Sequence, residues 1–448
     1  MLSTDGKATV LWRDFFKLDK PQIRAFHMSW FAFFLCFFAW FGIAPLMIVI
    51  KEELSLTAAQ VGNTIIASVA FTIVGRLFIG WLCDRIGPRL SYTWLLVLGS
   101  IPVLGIGLSQ SYESFLIFRL LIGLIGASFV ITQTHTSLMF APNVVGTANA
   151  TSAGWGNLGG GATNLVMPLI YGLLFSVLGF SSAVSWRLAM VLAGILCLLT
   201  GIAYYKFTQD TPQGNFADIR KSGKNKLAKP TGATFFNVCK DFRVWVLFVV
   251  YACCFGLELT MLNVLSLYFQ SKFELTLSVA GAIAGSFGLM NLFARTLGGT
   301  LGDKFGKRFG IQGRVHWLFA ALFFEAIALM FFSQMQVFWL AVIVLLMFSL
   351  FVQMAEGATF AVVPFVNRES VGSVSGIVGA GGNLGAVLAG FLFKTEVAFW
   401  QNNFLYLGLA VLGCAFVTLT IRFSAETESK PVTQSPSPDI QLATVGNK

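Results

Sequence analysis

Charge is what this sequence has least of. Only 11% of its 448 residues are Asp, Glu, Lys or Arg, where a soluble globular domain carries roughly 25%. That scarcity excludes a soluble fold with a solvated charged surface. The seven cysteines, at 36, 83, 197, 239, 253, 254 and 414, form no CxxC pair, which argues against structural zinc and disulfides. Three dispersed histidines, His27, His135 and His316, give a metal site no support, and neither metal nor cofactor is expected. No GxxxxGK[ST] occurs, so the chain has no P-loop through which ATP could drive it. No enzymatic constellation stands out either.

What is there is apolar. Phe26 to Ile50 runs 25 residues without a charge, longer than the roughly 20 a helix needs to cross a bilayer and too long for a cleaved signal peptide. Comparable stretches follow near 58–82, 90–108, 114–141, 150–176, 184–205, 244–269, 276–300, 315–333, 336–363, 373–394 and 403–422. The expectation is an all-α polytopic protein with twelve transmembrane helices. A cytoplasmic N-terminus would put 23 of the 30 Lys and Arg at inner ends and four, Lys51, Arg187, Lys272 and Lys394, at outer ends; both termini are therefore expected in the cytoplasm. This asymmetry explains the net charge of +10, and no nucleic-acid partner is expected. The expected units are an N-terminal segment 1–25, a six-helix bundle 26–205, a polar linker 206–243, a second six-helix bundle 244–422 and a disordered tail 423–448.

The halves repeat each other. RLFIGWLCDRIGPR, residues 76–89, aligns without a gap to RTLGGTLGDKFGKR, residues 295–308. Arg76 thus matches Arg295, and Asp84, Arg85 and Arg89 match Asp303, Lys304 and Arg308, a candidate gating motif. VGTANATSAGWGNLGGG (145–161) is echoed by VGSVSGIVGAGGNLGAV (371–387). Each helix so formed has a stripe of small residues that lets a neighbouring backbone approach; Gly154, Gly156, Gly160, Gly381, Gly382 and Gly385 are its signature glycines. Leucine at Gly156 or Gly382 should therefore block function, and leucine at Phe393 should be mild.

These residues carry a resemblance. Gly-x-x-x-Asp-Arg-x-Gly-x-Arg, its echo in the second half, and Arg119-x-x-x-Gly123 look like the major facilitator superfamily. AGWGNLGGG and GAGGNLGA are similar to the signatures of the nitrate/nitrite porter family. The resemblance implies two six-helix bundles moving by alternating access, and a nitrate or nitrite substrate.

Counting back from Asp84 places Arg76 about 12 Å above the inner turn, near the middle of a ~30 Å core, and Arg295 matches it. An arginine there costs at least ~2.5–3.5 kcal/mol and needs a partner. A guanidinium offers paired donors that fit a planar oxyanion such as nitrate. The plainer alternative is that Arg76, Arg295 and Arg119 neutralise Glu258, Glu325 and Glu356. The resemblance implies that Arg76 and Arg295 clamp the anion across a central cavity, that Tyr251 donates to it, and that Phe129 and Phe255 wall it; Arg119 is read as structural. Asn157 and Asn383 offer amide donors without charge. Tyr251, Phe255 and Glu258 share one helix face.

Glu258 and Glu356 place the chain nearer a proton-coupled uptake branch than an exchanger. Glu258 is the first candidate for the proton and Glu356 the second, with an arginine pairing. The expected partners are nitrate, nitrite, protons and the lipid bilayer, in a monomer of the inner or plasma membrane. Nitrate/nitrite exchange, transport of another small anion such as a monocarboxylate, and a sensor without flux are the alternatives.

Overall fold

The computed structural model describes residues 6–10, 12–141, 145–221, 238–366 and 371–423, without the side chains of Asp84 and Asp303. The linker core and the tail expected from the sequence lie outside these residues, and of the two aspartates of the gating motif only the backbone is described.

Helix boundaries follow local chemistry. Pro21 opens α1, Pro21–Phe41, where a missing N–H costs nothing. The chain then turns through Ala44–Leu46 and the short helix Met47–Glu53, so the first span starts earlier and its regular helix ends sooner than expected. Thr57 and Gln60 form a capping box that starts α2, Ala58–Ile86. Then come α3, Pro88–Gly105, and α4, Tyr112–Thr136, begun by Ser111 and tightened to a 3-10 stretch at Gly123–Ala127. The first half ends with α5, Val145–Gly172, and α6, Ser182–Phe207. The second half holds α7, Phe242–Phe273, then α8, which begins as Leu277–Leu289 and runs on beyond the 3-10 turn Met290–Leu292 to a break at Phe309 and Gly310, α9 from that break to Gln334, α10, Phe338–Val366, α11, Val371–Leu392, and α12, Trp400–Thr418. Asp241 and Thr276 cap α7 and α8. No strand is present among the described residues.

Among the described residues, eleven helices are long and apolar enough to cross a membrane, and Gly376–Leu392 is a shorter apolar one; the end of the molecule at which α1 begins is called here the termini end. The two turns of the repeated motif differ. Gly87 takes φ +88° and hands α2 directly to Pro88 of α3. In the second half no proline follows, so the helix runs through Gly306 and breaks only at Gly310, with φ +69°.

Within the halves, α1 packs on α5, α3 on α6 and α7 on α11, and α8 on α10, where Gly298 approaches Met354 and Gly357 approaches Arg295. Between them, α5 meets α8 and α2 meets α11. The close approaches across this seam lie towards the end opposite the termini: Gly161 against Gly288, Gly281 against Asn164, and Gly62 against Lys394. A Cβ on Gly288 would stand 2.4 Å from Gly161 Cα, so neither position accepts a side chain without moving a helix. Large apolar side chains such as Trp94, Leu98, Leu169 and Trp339 are half or more exposed around the outside, whereas Glu258, Glu325, Glu356, Asn157 and Asn383 are buried. That inversion of polarity is what a bilayer solvent requires. Phe393 is fully buried, 5.0 Å from the Trp400 ring and 5.5 Å from the Phe404 ring, so leucine there removes core contacts.

Candidate anion-binding site

The site forms where α2, α7, α8, α10 and α11 converge. Gly382 of α11 makes it possible, because a Cβ there would lie 2.5 Å from Phe255 and 3.0 Å from Tyr251. With only hydrogen at that position, the two rings of α7 stack at 5.1 Å and 13°, and the edge of Phe360 closes on Tyr251 at 5.1 Å. Gly381 and Gly385 approach the backbone carbonyls of Phe248 and Ala252, fixing α11 on α7 along the same stripe.

Phe255 then separates two guanidiniums. Arg76 lies 5.6 Å from its ring centroid and Arg295 5.8 Å; Arg76 also lies 5.4 Å from Phe129. A ring face attracts a cation without neutralising it, so the anion-binding capacity of both arginines survives. Their other contacts differ. Arg295 donates from Nη2 to the Tyr251 hydroxyl at 2.6 Å and pairs through Nη1 with Glu356 at 2.8 Å. Arg76 has no carboxylate against it among the described residues. Its Nη1 donates to the Gly379 carbonyl at 3.2 Å, and with the Asn383 amide turned to face it, the Asn383 oxygen accepts from Nη1 at 2.8 Å and Nε at 3.3 Å. Nη2 of Arg76 is buried without a partner.

The two matched arginines are therefore in different states: one is held by a carboxylate, the other by neutral oxygens with a donor to spare. Asn383 faces Arg76 with its oxygen, so it aims the guanidinium rather than offering an amide donor as the sequence suggested. Asn157 fits the donor role. It is buried, and neither its nitrogen nor its oxygen has a partner. It shares a face of α5 with Gly154 and Gly161, which look onto the Asn291 carbonyl and Gly288 of α8.

The carboxylates form a second cluster. Glu258 accepts from the Asn291 side-chain amide. The plainer sequence alternative thus holds for Arg295, which pairs with Glu356, and not for Arg76 or Arg119. Glu325 is buried with both oxygens unpartnered. Glu356, expected to pair with an arginine, does so with Arg295, and Glu258 makes no ion pair among the described residues.

Sequence reasoning missed Asn291, Gly379 and Phe360. A signal for the first was available: Asn291 is a lone amide four residues before Arg295 in an apolar span. The carbonyl of Gly379 carries no side-chain signature at all.

Elsewhere on the repeated motif, Asp210 accepts from the backbone N–H of Arg89 at 2.8 Å and of Phe216 at 2.9 Å, clamping the start of α3 to the chain beyond α6. Burial pushes its carboxyl up despite those donors. Arg89 also donates to the Tyr205 carbonyl at 2.9 Å and lies 4.1 Å from the Tyr205 ring centroid. Arg308 lies 5.2 Å from the Phe309 ring centroid; Arg85 and Lys304 are exposed.

The family model for the Major Facilitator Superfamily matches residues 29–390. The chain is 39% identical over 423 residues to the high affinity nitrate transporter 2.5 of Arabidopsis thaliana, covering 94% of this chain and 84% of that protein. It is 30% identical to the nitrate/nitrite transporter NrtP of Nostoc punctiforme, covering 88% and 91%. Among solved structures, a D-xylose–proton symporter superposes with a TM-score of 0.68 at 16% identity, over 90% of this chain and 98% of that one; at that identity the likeness is one of fold. The chain belongs to the major facilitator superfamily and, within it, to the nitrate/nitrite porter family.

Proposed function

We propose that the protein carries nitrate, and nitrite as a related anion, across the membrane by alternating access, together with a proton. The site lies between Arg76 and Arg295, with the termini end cytoplasmic as the Lys and Arg distribution indicates. The observation that carries the reading is the unequal state of the two arginines: Arg295 lies against the Glu356 carboxylate, while Arg76, among the described residues, lies against neutral oxygens only. An incoming anion takes the free donor of Arg76 directly. To engage Arg295 as well it has to replace Glu356, and a displaced buried carboxylate is costly unless it gains a proton. The proton that neutralises the displaced Glu356 is taken up from solution as the anion binds. Anion and proton therefore bind together, which is symport. Tyr251, whose oxygen accepts from Arg295, keeps its own O–H to donate to the anion, and Phe129 and Phe255 exclude water. The nitrate transporter names of the relatives support the choice of anion; the planar fork of arginine suits it physically. The protein works as a monomer in the plasma or inner membrane.

Counterflow of labelled nitrate in proteoliposomes, with and without a pH gradient, tests the reading. Nitrate accumulation driven by an inward proton gradient is expected. Flux of a monocarboxylate with no flux of nitrate overturns the substrate, and nitrate flux that needs internal nitrite and ignores the gradient replaces symport with exchange.

A further inference from the structure

Arg119 is the third intramembrane arginine, and the proposed cycle does not use it. It is 1% exposed on α4. Its Nη1 donates to the Trp40 carbonyl at the end of α1 at 3.0 Å, and its Nη2 to Asn263 Oδ1 on α7 at 3.0 Å. Nε is buried and has no partner. No ion pair among the described residues involves it. A full positive charge is thus buried against neutral oxygens only.

A static clamp has no need of that charge. Two neutral oxygens are satisfied by a neutral amide, and a buried cation without a counter-ion is costly in a bilayer. The charge has to be useful in some state other than the one described. Which state follows from the partners. Trp40 belongs to the same half as Arg119, but Asn263 belongs to the other half. Seven residues from the start of α4, Arg119 sits about 10 Å in from the end opposite the termini, whereas Arg76, eighteen residues into α2, sits about 27 Å from it. The halves meet closely on that side. Opening it separates α4 from α7, strips Nη2 of its acceptor, and leaves Nη2 and Nε as charged donors on the wall of the opened passage.

We infer that Arg119 is a second anion-binding group, a transit site on the opposite-end half of the path that takes the same small oxyanion as the central pair. Asn263 occupies it while that end is closed. The anion thereby meets Arg119 before it reaches Arg76, and Asn263 displaces the anion from Arg119 as the passage shuts. The inference rests on the nitrate reading.

Sided kinetics test it. In proteoliposomes of one orientation, nitrate counterflow is measured with the anion varied at one face and saturating at the other. Arg119→Gln keeps an amide donor for the Trp40 carbonyl and loses the charge; it should raise KM at the opposite-end face about tenfold or more, the loss of one charged contact, and leave KM at the termini face unchanged. Arg119→Lys should recover part of that loss. Asn263→Asp, nearly isosteric, gives Arg119 a permanent internal carboxylate that competes with the anion, and should raise KM at the same face even if Arg119→Gln does not fold. Unchanged KM in the Gln or Asp variant, or an equal change at both faces, overturns the transit site and leaves a clamp. Wild-type vesicles without nitrate flux at either face would remove both this inference and the nitrate reading, which separates the two failures.

Discussion

Glu356→Gln is the perturbation that most exposes the competition for Arg295. In the unloaded protein Arg295 pairs with Glu356 at 2.8 Å, with the carboxylate fully buried. Removing one charge from a buried pair costs roughly 3–5 kcal/mol. The glutamine oxygen still faces the guanidinium and returns about 1–3 kcal/mol as a hydrogen bond to a charged group. The net loss is therefore about 2 kcal/mol in the empty protein. The same amount no longer opposes an anion that takes Arg295, so nitrate affinity should rise by about thirtyfold. Thermal unfolding of the purified protein reads both effects at once: a lower Tm without nitrate, and recovery as nitrate is added at constant ionic strength, worth about 2.7 kcal/mol at a hundred times Kd. The pH dependence has a definite sign. In wild type, lower pH favours the protonated carboxyl that releases Arg295, so nitrate should bind more tightly as pH falls, and in the glutamine variant that slope should vanish. A variant that binds nitrate more weakly than wild type would refute the competition.

Arg76→Lys and Arg295→Lys should each abolish nitrate uptake with the protein still in the membrane, because lysine keeps the charge and loses the fork that spans Gly379 and Asn383, or Tyr251 and Glu356; uptake assays normalised to membrane abundance check this. Asn157→Ala removes an amide with no partner, so Tm should hold while nitrate affinity drops about tenfold, the scale of one hydrogen bond to a charged group, measured by the same nitrate titration. Gly382→Leu should eliminate transport, since even its Cβ meets Phe255 at 2.5 Å. Phe393→Leu should lower Tm, by about 1–3 kcal/mol of lost core packing, while leaving the nitrate affinity of the folded fraction intact.

The fold was legible because a bilayer imposes it: twelve runs of twenty or so apolar residues have few other uses, and the repeat from 76–89 to 295–308 divides them into two halves. The positions of Arg76 and Arg295 followed from the same repeat, since two equivalent intramembrane charges at one depth imply a shared task. What the sequence hid was how each arginine is held. Their motifs match, yet Glu356 reaches only Arg295, and Asn383 reaches only Arg76. That asymmetry arises from α10, outside the repeated stretches, and from the matched asparagines, of which Asn383 faces Arg76 while Asn157 has no partner. The Gly379 carbonyl was illegible for another reason, because backbone acceptors leave no residue-type signal. The burial of Phe393 was also hidden, because it comes from another element, α12, which covers it with Trp400 and Phe404. The two Gly-Asn helices explain themselves once packed: Gly156 makes room for Phe33, Gly160 for Leu262, and Gly382 for the two rings that part the arginines.

The central claim is that anion and proton are bound together through Arg295 and Glu356. Proteoliposomes loaded with an internal pH dye, given external nitrate with no nitrite inside, measure it directly. The account predicts that nitrate entry acidifies the lumen in wild type, and that Glu356→Gln exchanges nitrate at equal pH without acidification. Nitrate entry into wild-type vesicles with no change of internal pH would contradict it.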